Sequence, residues 1–376
     1  MNRPLLALCA LLLAGCARDP MDDPEYAAAC HGPPVRGAEE RQQAAEQGYM
    51  INPRFDCIDK ESWEEVQRAN ALVAGLVKQA EREVAAEAAA PPRNLADARA
   101  GFRTAIGAPA TGTPLPKPPA ALFVRSDYTG AEGRTLAAFV TPDPRDGQRH
   151  AAIIWITGGD SSTLEDFWTE GSPDNDQTAS AFRKAGLIMM FPTLRGGNVD
   201  EGRHEYFYGE VDDIHAAANH LAKLPYVDPA RVYLGGHSTG GTLALLAAET
   251  GGRFAAVFSF GPVSSVDGYP ESIFPGSGSA DPREVSLRSP GEWLNAISTP
   301  TYLIEGTEAP GNAVALDELC GRVRIAQVHC VPVHGANHFS TIDKVGRVLA
   351  PRLVAGTMGE VAMLQAQEFG GAPPAN

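Results

Sequence analysis

Val232-Tyr233-Leu234-Gly235-Gly236-His237-Ser238-Thr239-Gly240-Gly241-Thr242 is the stretch from which the rest of the chain can be read. A short apolar run meets a serine with glycines two places before and two places after it, and Thr242–Ala248 continues at helical spacing. That order suits a sharp turn between a buried strand and a helix. The serine is then held at an exposed apex, and only glycine-sized neighbours let the two backbone arms close up. With 39 glycines among 376 residues the pentapeptide alone carries little weight, so its setting has to decide.

The setting is an alternation of strands and helices. Ala121–Val124 and Thr135–Val140 flank a turn near Gly130 and Gly133 and read as an antiparallel pair. Ala151–Ile156 is continuously apolar, as a strand covered on both faces must be, and Leu187–Phe191 follows the helix end Phe182–Ala185. Glu210–Leu224 is helical, with Val211, Ile214, Ala218 and Leu221 on one face. Asp228-Pro229 turns the chain into Arg231–Leu234, and Ala255–Phe260, Thr301–Glu305 and Ile325–Val333 supply further strands. The expected architecture is α/β: a mostly parallel sheet with helices on both faces.

A serine is a poor nucleophile until a base takes its proton, and that base needs an acid to orient it. The chain order expected on such a sheet is serine, acid, histidine. After Ser238 only His329, His334 and His338 remain. His338 is the candidate base, because Gly335-Ala336-Asn337 places it on a short loop beyond the last strand. His334 is the runner-up, and His329 lies inside a strand. For the acid, Glu308 in Gly306-Thr307-Glu308-Ala309-Pro310 is the first choice. Glu305 stands at the strand end, facing either way, and Asp267 after Ala255–Phe260 is the runner-up. Two backbone N–H groups should receive the oxyanion: Thr239, next to the nucleophile, and Gly159 in Thr157-Gly158-Gly159-Asp160.

These stretches resemble the α/β-hydrolase superfamily, in its prolyl-oligopeptidase (S9-like) and dienelactone-hydrolase-like branch. The likeness rests on Thr157-Gly158-Gly159, Arg195-Gly196-Gly197-Asn198, Val211-Asp212-Asp213 through Arg231, the serine turn, Pro300–Gly306 and Gly335–Phe339, over residues ~120–356. It implies a Ser-His-acid triad and an acyl-enzyme, with no cofactor and no metal. Two departures stand out. Ala309 occupies the position where the pattern has aspartate, and the chain is too short for a prolyl oligopeptidase's β-propeller. Residues 262–298, with Pro270, Pro275 and Gly276-Ser277-Gly278-Ser279, interrupt the domain and are expected as a lid over the site.

The N-terminus carries Arg3, an apolar run from Pro4 to Leu13, then Leu13-Ala14-Gly15-Cys16. This has the form of an export signal and resembles the bacterial lipoprotein signal, implying cleavage before Cys16 and its lipidation. Ala17 resembles the sorting residue of outer-membrane lipoproteins, so the expected place is the cell envelope, facing the periplasm or the cell surface. Of the remaining cysteines, the local pairs Cys30–Cys57 and Cys320–Cys330 are the expected disulfides. A formal net charge of −15 argues against nucleic-acid binding.

Four segments result: a signal at 1–15; a tether, helix and proline-rich linker at 16–119; the α/β-hydrolase domain at 120–356; and a tail at 357–376. Within the second, Ser62 and Glu65 form a capping box ahead of an apolar stripe through Val66, Val73, Leu76 and Val77. Pro109, Pro114, Pro116, Pro118 and Pro119 stiffen the linker. The functional expectation is an exported, lipid-anchored serine hydrolase acting on a small ester or amide. The alternatives are an exopeptidase on short peptides and a non-catalytic envelope binding protein that keeps the fold.

Overall fold

The computed structural model describes residues 49–52, 55–59, 72–73, 75–79, 94–199, 202–278, 280–356 and 366–370. The chain divides into two units, Met1–Pro91 and Pro92–Asn376. In the first, β1 (Tyr49–Asn52) pairs antiparallel with β2 (Phe55–Asp59), inside a stretch expected as a plain tether. Residues 72–73 and 75–79 are helical, within the apolar stripe read from the sequence. Its capping box, the lipid signal and the expected Cys30–Cys57 bond lie outside the described residues.

The second unit holds an eight-stranded sheet. Its strands are β4 (Val124–Arg125), β7 (Ala138–Val140), β8 (His150–Ile156), β9 (Ile188–Pro192), β11 (Val227–His237), β12 (Val257–Phe260), β13 (Thr301–Glu308) and β14 (Val328–Asn337). They lie in the order β14-β13-β12-β11-β8-β9-β7-β4. From β9 to β14 all neighbours run parallel, while β7 and β4 are antiparallel. Between them β5 (Tyr128–Thr129) and β6 (Thr135–Leu136) form the hairpin around Gly130 and Gly133. The bend at Asp228-Pro229 is absorbed inside β11 as an irregularity of pairing between Val227 and Val232.

Along β8 successive side chains go to opposite faces. Ala152, Ile154 and Ile156 join one apolar cluster, and Ile153 and Trp155 join the other. This two-sided burial is why the strand has no polar alternation. The helices that cover the two faces are α1 (Leu95–Arg99), α2 (Ser180–Ala185), α3 (Glu210–Leu221), α4 (Thr239–Glu249), α5 (Pro282–Ser286), α6 (Ala313–Arg322) and α7 (Thr341–Ala355). Cys320 on α6 is bonded to Cys330 on β14, tying that helix to the edge strand.

Two segments differ from expectation. Residues 262–298 do not cap the site: Val266, Phe274, Leu287, Trp293 and Leu294 are buried in an apolar cluster, and Tyr269 bonds Thr242 of α4 at 2.7 Å. The linker at 108–119 belongs to the compact second unit, where β3 (Ala108–Pro109) pairs with β10 (Arg203–His204). At the tail, Ala366–Phe369 forms a turn of 3₁₀-helix whose Phe369 is buried in the second cluster.

The connection from β8 leads to β9 on one side, whereas β11 returns to the other side of β8. Open α/β sheets leave a crevice at the carboxyl ends of strands where the order reverses in this way. Ser238 follows β11 and Thr157-Gly158-Gly159 follows β8, so topology alone brings the serine and the glycine loop to one crevice.

Candidate active site

Ser238 closes β11 and opens α4 with φ 58° and ψ −117°, a conformation L-residues avoid. The surrounding bonds hold it there. Its N–H donates to the Phe260 carbonyl at 2.8 Å, and its own carbonyl accepts from Thr242 N–H at 2.9 Å. The flanking glycines are needed for closeness. A Cβ on Gly236 would stand 2.3 Å from the Gly240 carbonyl oxygen, and one on Gly240 would stand 2.2 Å from that of Ile156. The turn read from the sequence is therefore present, with the N-terminus of α4 and its unpaired N–H groups beneath the serine.

His338 follows β14, as expected. Its N–H donates to the Pro310 carbonyl at 3.0 Å, and its carbonyl accepts from Thr341 Oγ1 at 2.8 Å. The ring lies against Gly261. A Cβ there would fall 2.3 Å from the imidazole carbon Cε1 and 2.8 Å from a Glu305 carboxylate oxygen.

The acid against His338 is Glu305, not Glu308. His338 Nδ1 stands 2.7 Å from Glu305 Oε2, and Glu305 is 1% exposed. The other oxygen, Oε1, accepts the Gly306 N–H at 2.7 Å. Glu308 lies three residues further along β13, opposite Asn337, with its side chain in solvent. Burial decides between the two: the side chain that turns into the sheet end meets the imidazole, and the one beyond it does not. Asp267, the runner-up, is exposed in a 3₁₀ turn and accepts from Gly278 N–H. His334 is exposed, with its Nδ1 3.5 Å from Thr307. His329 stacks on Tyr302, as a strand histidine does. The signal for Glu305 was present in the sequence: a lone carboxylate in the apolar run Thr301–Ile304 has to find a partner once buried.

The glycine loop is bound to the serine turn. Thr239 Oγ1 donates to the Gly159 carbonyl at 2.9 Å and accepts from Ser161 Oγ at 2.6 Å. Gly158 approaches Ser238 so closely that a Cβ on it would stand 3.2 Å from the serine Cβ. The backbones of Thr239 and of the Gly158-Gly159 loop thus border the nucleophile from two sides.

His237 is a group the sequence reading passed over. Its ring is buried, with Nε2 donating to the His338 carbonyl at 3.0 Å and Nδ1 3.1 Å from the Gln177 amide. The two histidine rings lie 4.4 Å apart. Burial, and then the neighbouring His338, push the His237 imidazole down to about 3, which keeps it neutral and its Nε2–H on the carbonyl.

Ser238 and His237 line a cleft of about 520 Å³. Its charged walls are Asp160, Glu165 and Asp166; among the described residues no lysine or arginine lines it, and none of those in 262–298 does. Leu164, Phe167 and Phe339 supply apolar surface. Ser238, His237 and the Gly158-Gly159 loop thus line the cleft, while the His338–Glu305 pair packs against His237 and Gly261. These are the residue types a serine hydrolase site needs.

Residues 173–290 match the model of the prolyl oligopeptidase family, a segment that contains Ser238 but ends before Glu305 and His338. The chain is similar to the uncharacterized peptidase YtmA of Bacillus subtilis (strain 168), 29% identical over 136 residues, covering 33% of this chain and 53% of that protein. A polyketide transferase of Stachybotrys chlorohalonatus is 27% identical over 147 residues, covering 38% of this chain and 46% of the other. The chain thus spans about half the length of the curated relatives it matches.

Among solved structures, a 2,6-dihydroxy-pseudo-oxynicotine hydrolase superposes with a TM-score of 0.51 at 20% identity, over 65% of this chain and 72% of that one. A puromycin-hydrolyzing peptidase of Mycobacterium tuberculosis superposes with a TM-score of 0.50 at 21% identity, over 63% of this chain and 39% of that one. An esterase of Pyrococcus furiosus gives 0.50 at 15% identity, over 66% of this chain and all of the other. The fold is that of the α/β hydrolases.

Proposed function

We propose that this chain is a serine hydrolase that cleaves amide bonds of short peptides, or chemically related acyl bonds, through an acyl-enzyme. The observation that carries the reading is the buried His338–Glu305 pair at 2.7 Å beside the strained Ser238 turn. Ser238 Oγ attacks the carbonyl carbon as His338 Nε2 takes its proton, and Glu305 holds the Nδ1–H and stabilises the imidazolium. The N–H groups of Thr239 and Gly159 receive the oxyanion. The imidazolium gives its proton to the leaving amine, and His338 then activates the water that releases the acyl group.

The family match supports a peptide-type substrate over a simple ester. The cleft's volume of about 520 Å³ favours short substrates. Residues 1–16 support export and lipid anchoring at Cys16, with the hydrolase held in the envelope.

The test is a fluorophosphonate probe, followed by aminoacyl and peptidyl p-nitroanilides set against p-nitrophenyl esters. Labelling of the wild type and not of Ser238→Ala is expected; an unlabelled wild type would rule out the enzyme in favour of a non-catalytic binding protein. Efficient turnover of the esters with no detectable cleavage of any amide would return the substrate to the ester class. Mass spectrometry of the mature N-terminus tests the anchor, which falls if Cys16 carries no lipid.

A further inference from the structure

The segment that reads as a stiff linker in the sequence reaches the cleft at Thr113, which forms part of its wall. It is tied down on both sides of that residue. Ahead of it, β3 pairs with β10, and Arg203 Nη2 donates to the carbonyls of Ala105 and Gly107 at 3.0 and 3.3 Å. Thr111 N–H donates to the Gly196 carbonyl at 3.0 Å, and its hydroxyl lies 3.2 Å from that of Thr163, another cleft residue. Behind it, Asn198 Nδ2 donates to the Pro114 carbonyl at 3.3 Å, and Leu115 packs against the second apolar cluster.

Asn198 is a clasp between the strap and a second segment of the cleft wall, at Leu164. It is 1% exposed, and its amide also accepts from Leu164 N–H and donates to the Leu164 carbonyl, both at 2.8 Å. Leu164 itself lines the cleft. The residue adopts φ 48°, which asparagine tolerates better than most side chains. One side chain thus fixes the strap and Leu164 relative to each other.

We propose that residues 107–115 are a fixed wall of the substrate cleft and that Thr113 is a specificity-determining residue limiting the size of the acyl group accepted. The proposal rests on the serine-hydrolase reading of the same cleft. A side chain anchored through Thr111 and Pro114 cannot swing aside when a larger substrate enters, so its volume is subtracted directly from the cleft that Ser238 also lines. Substrates with short acyl groups fit, and longer ones compete with Thr113 for that space.

The test compares p-nitrophenyl octanoate with p-nitrophenyl acetate on the full chain, reading the ratio of their kcat/KM values. Thr113→Trp should lower the ratio by about tenfold or more, mainly through KM, and Thr113→Gly should raise it. Asn198→Gly, which keeps the positive φ but removes the clasp, should raise it too. A ratio that stays within about twofold in Thr113→Trp, whether both rates fall together or neither does, overturns the proposal. Fluorophosphonate labelling of the same preparations separates the two failures. Labelled protein with an unmoved ratio ends the role of the strap alone, whereas an unlabelled wild type ends the hydrolase reading and the strap's role with it.

Discussion

The acid of the site is settled by a displacement of three residues along one strand. Glu305 and Glu308 are the same chemical group at nearly the same address, yet one is enclosed against His338 and the other stands in solvent. Glu305→Gln should keep the shape but lose the charge that stabilises the imidazolium, lowering kcat by about 10²- to 10⁴-fold. Glu308→Gln should stay within about twofold of wild type, as a surface substitution away from the chemistry does. Steady-state kinetics on the two variants check this, and the reverse order would restore the residue first expected from sequence. Gly261 belongs to the same argument: the carboxylate and imidazole approach each other over a position that has no room for a Cβ.

Among the elements, α4 carries one costly group. Glu249, in its last turn, is 1% exposed, and neither carboxylate oxygen has a hydrogen-bond partner among the described residues. Burial pushes its carboxyl well above the usual range, although the Arg99 guanidinium works the other way. The helix C-terminus disfavours the anion as well. The sign follows from linkage. With the folded pKa raised, the contribution to stability is full below about 4.5 and is lost as pH rises from there towards the folded value.

Arg99 is held by carbonyls of Leu287, Tyr208 and Phe207 whether or not Glu249 is present. Glu249→Met should therefore stabilise the fold by about 1–3 kcal/mol at pH 8 and by less at pH 5. Urea midpoints at the two pH values measure it. No gain at pH 8 would mean that the buried acid is compensated in another way.

At the scale of the whole molecule, two charge effects are readable. His215 and His237 are both pushed down, to about 4 and about 3, chiefly by burial. Both stay neutral in the fold while the unfolded chain takes up protons below pH 6.5. Stability is therefore fully present above that value and declines as pH falls from 6.5 towards 4, by about 1.4 kcal/mol per pH unit for each ring. His215→Gln should flatten that part of the urea-midpoint profile, and an unchanged slope would remove His215 from the account.

The second effect is on substrates. A cleft walled by Asp160, Glu165 and Asp166, in a chain of net charge −15, repels anions. A succinyl-peptide p-nitroanilide should show a KM several-fold above that of its acetyl analogue, and 0.5 M salt should shrink the gap through screening. A gap that ignores salt would assign the discrimination to shape.

The sequence by itself determined the nucleophile turn, the strand segments of a mostly parallel sheet around it, the histidine and the Cys320–Cys330 pairing. Each rests on short-range rules: steric closeness at glycine, two-sided burial of apolar runs, and local spacing. Tertiary structure decided what depends on orientation and on distant segments. The apolar run before Glu305 says that its carboxylate needs a partner, but that the partner is His338 turns on how β13 ends against β14 and the loop at Pro310. The same holds for the prolines near residue 110. Their stiffness is written in the chain, but the place of Thr113 in the cleft wall follows only from Gly196 and Asn198, more than eighty residues away, whose hydrogen bonds hold the strap there.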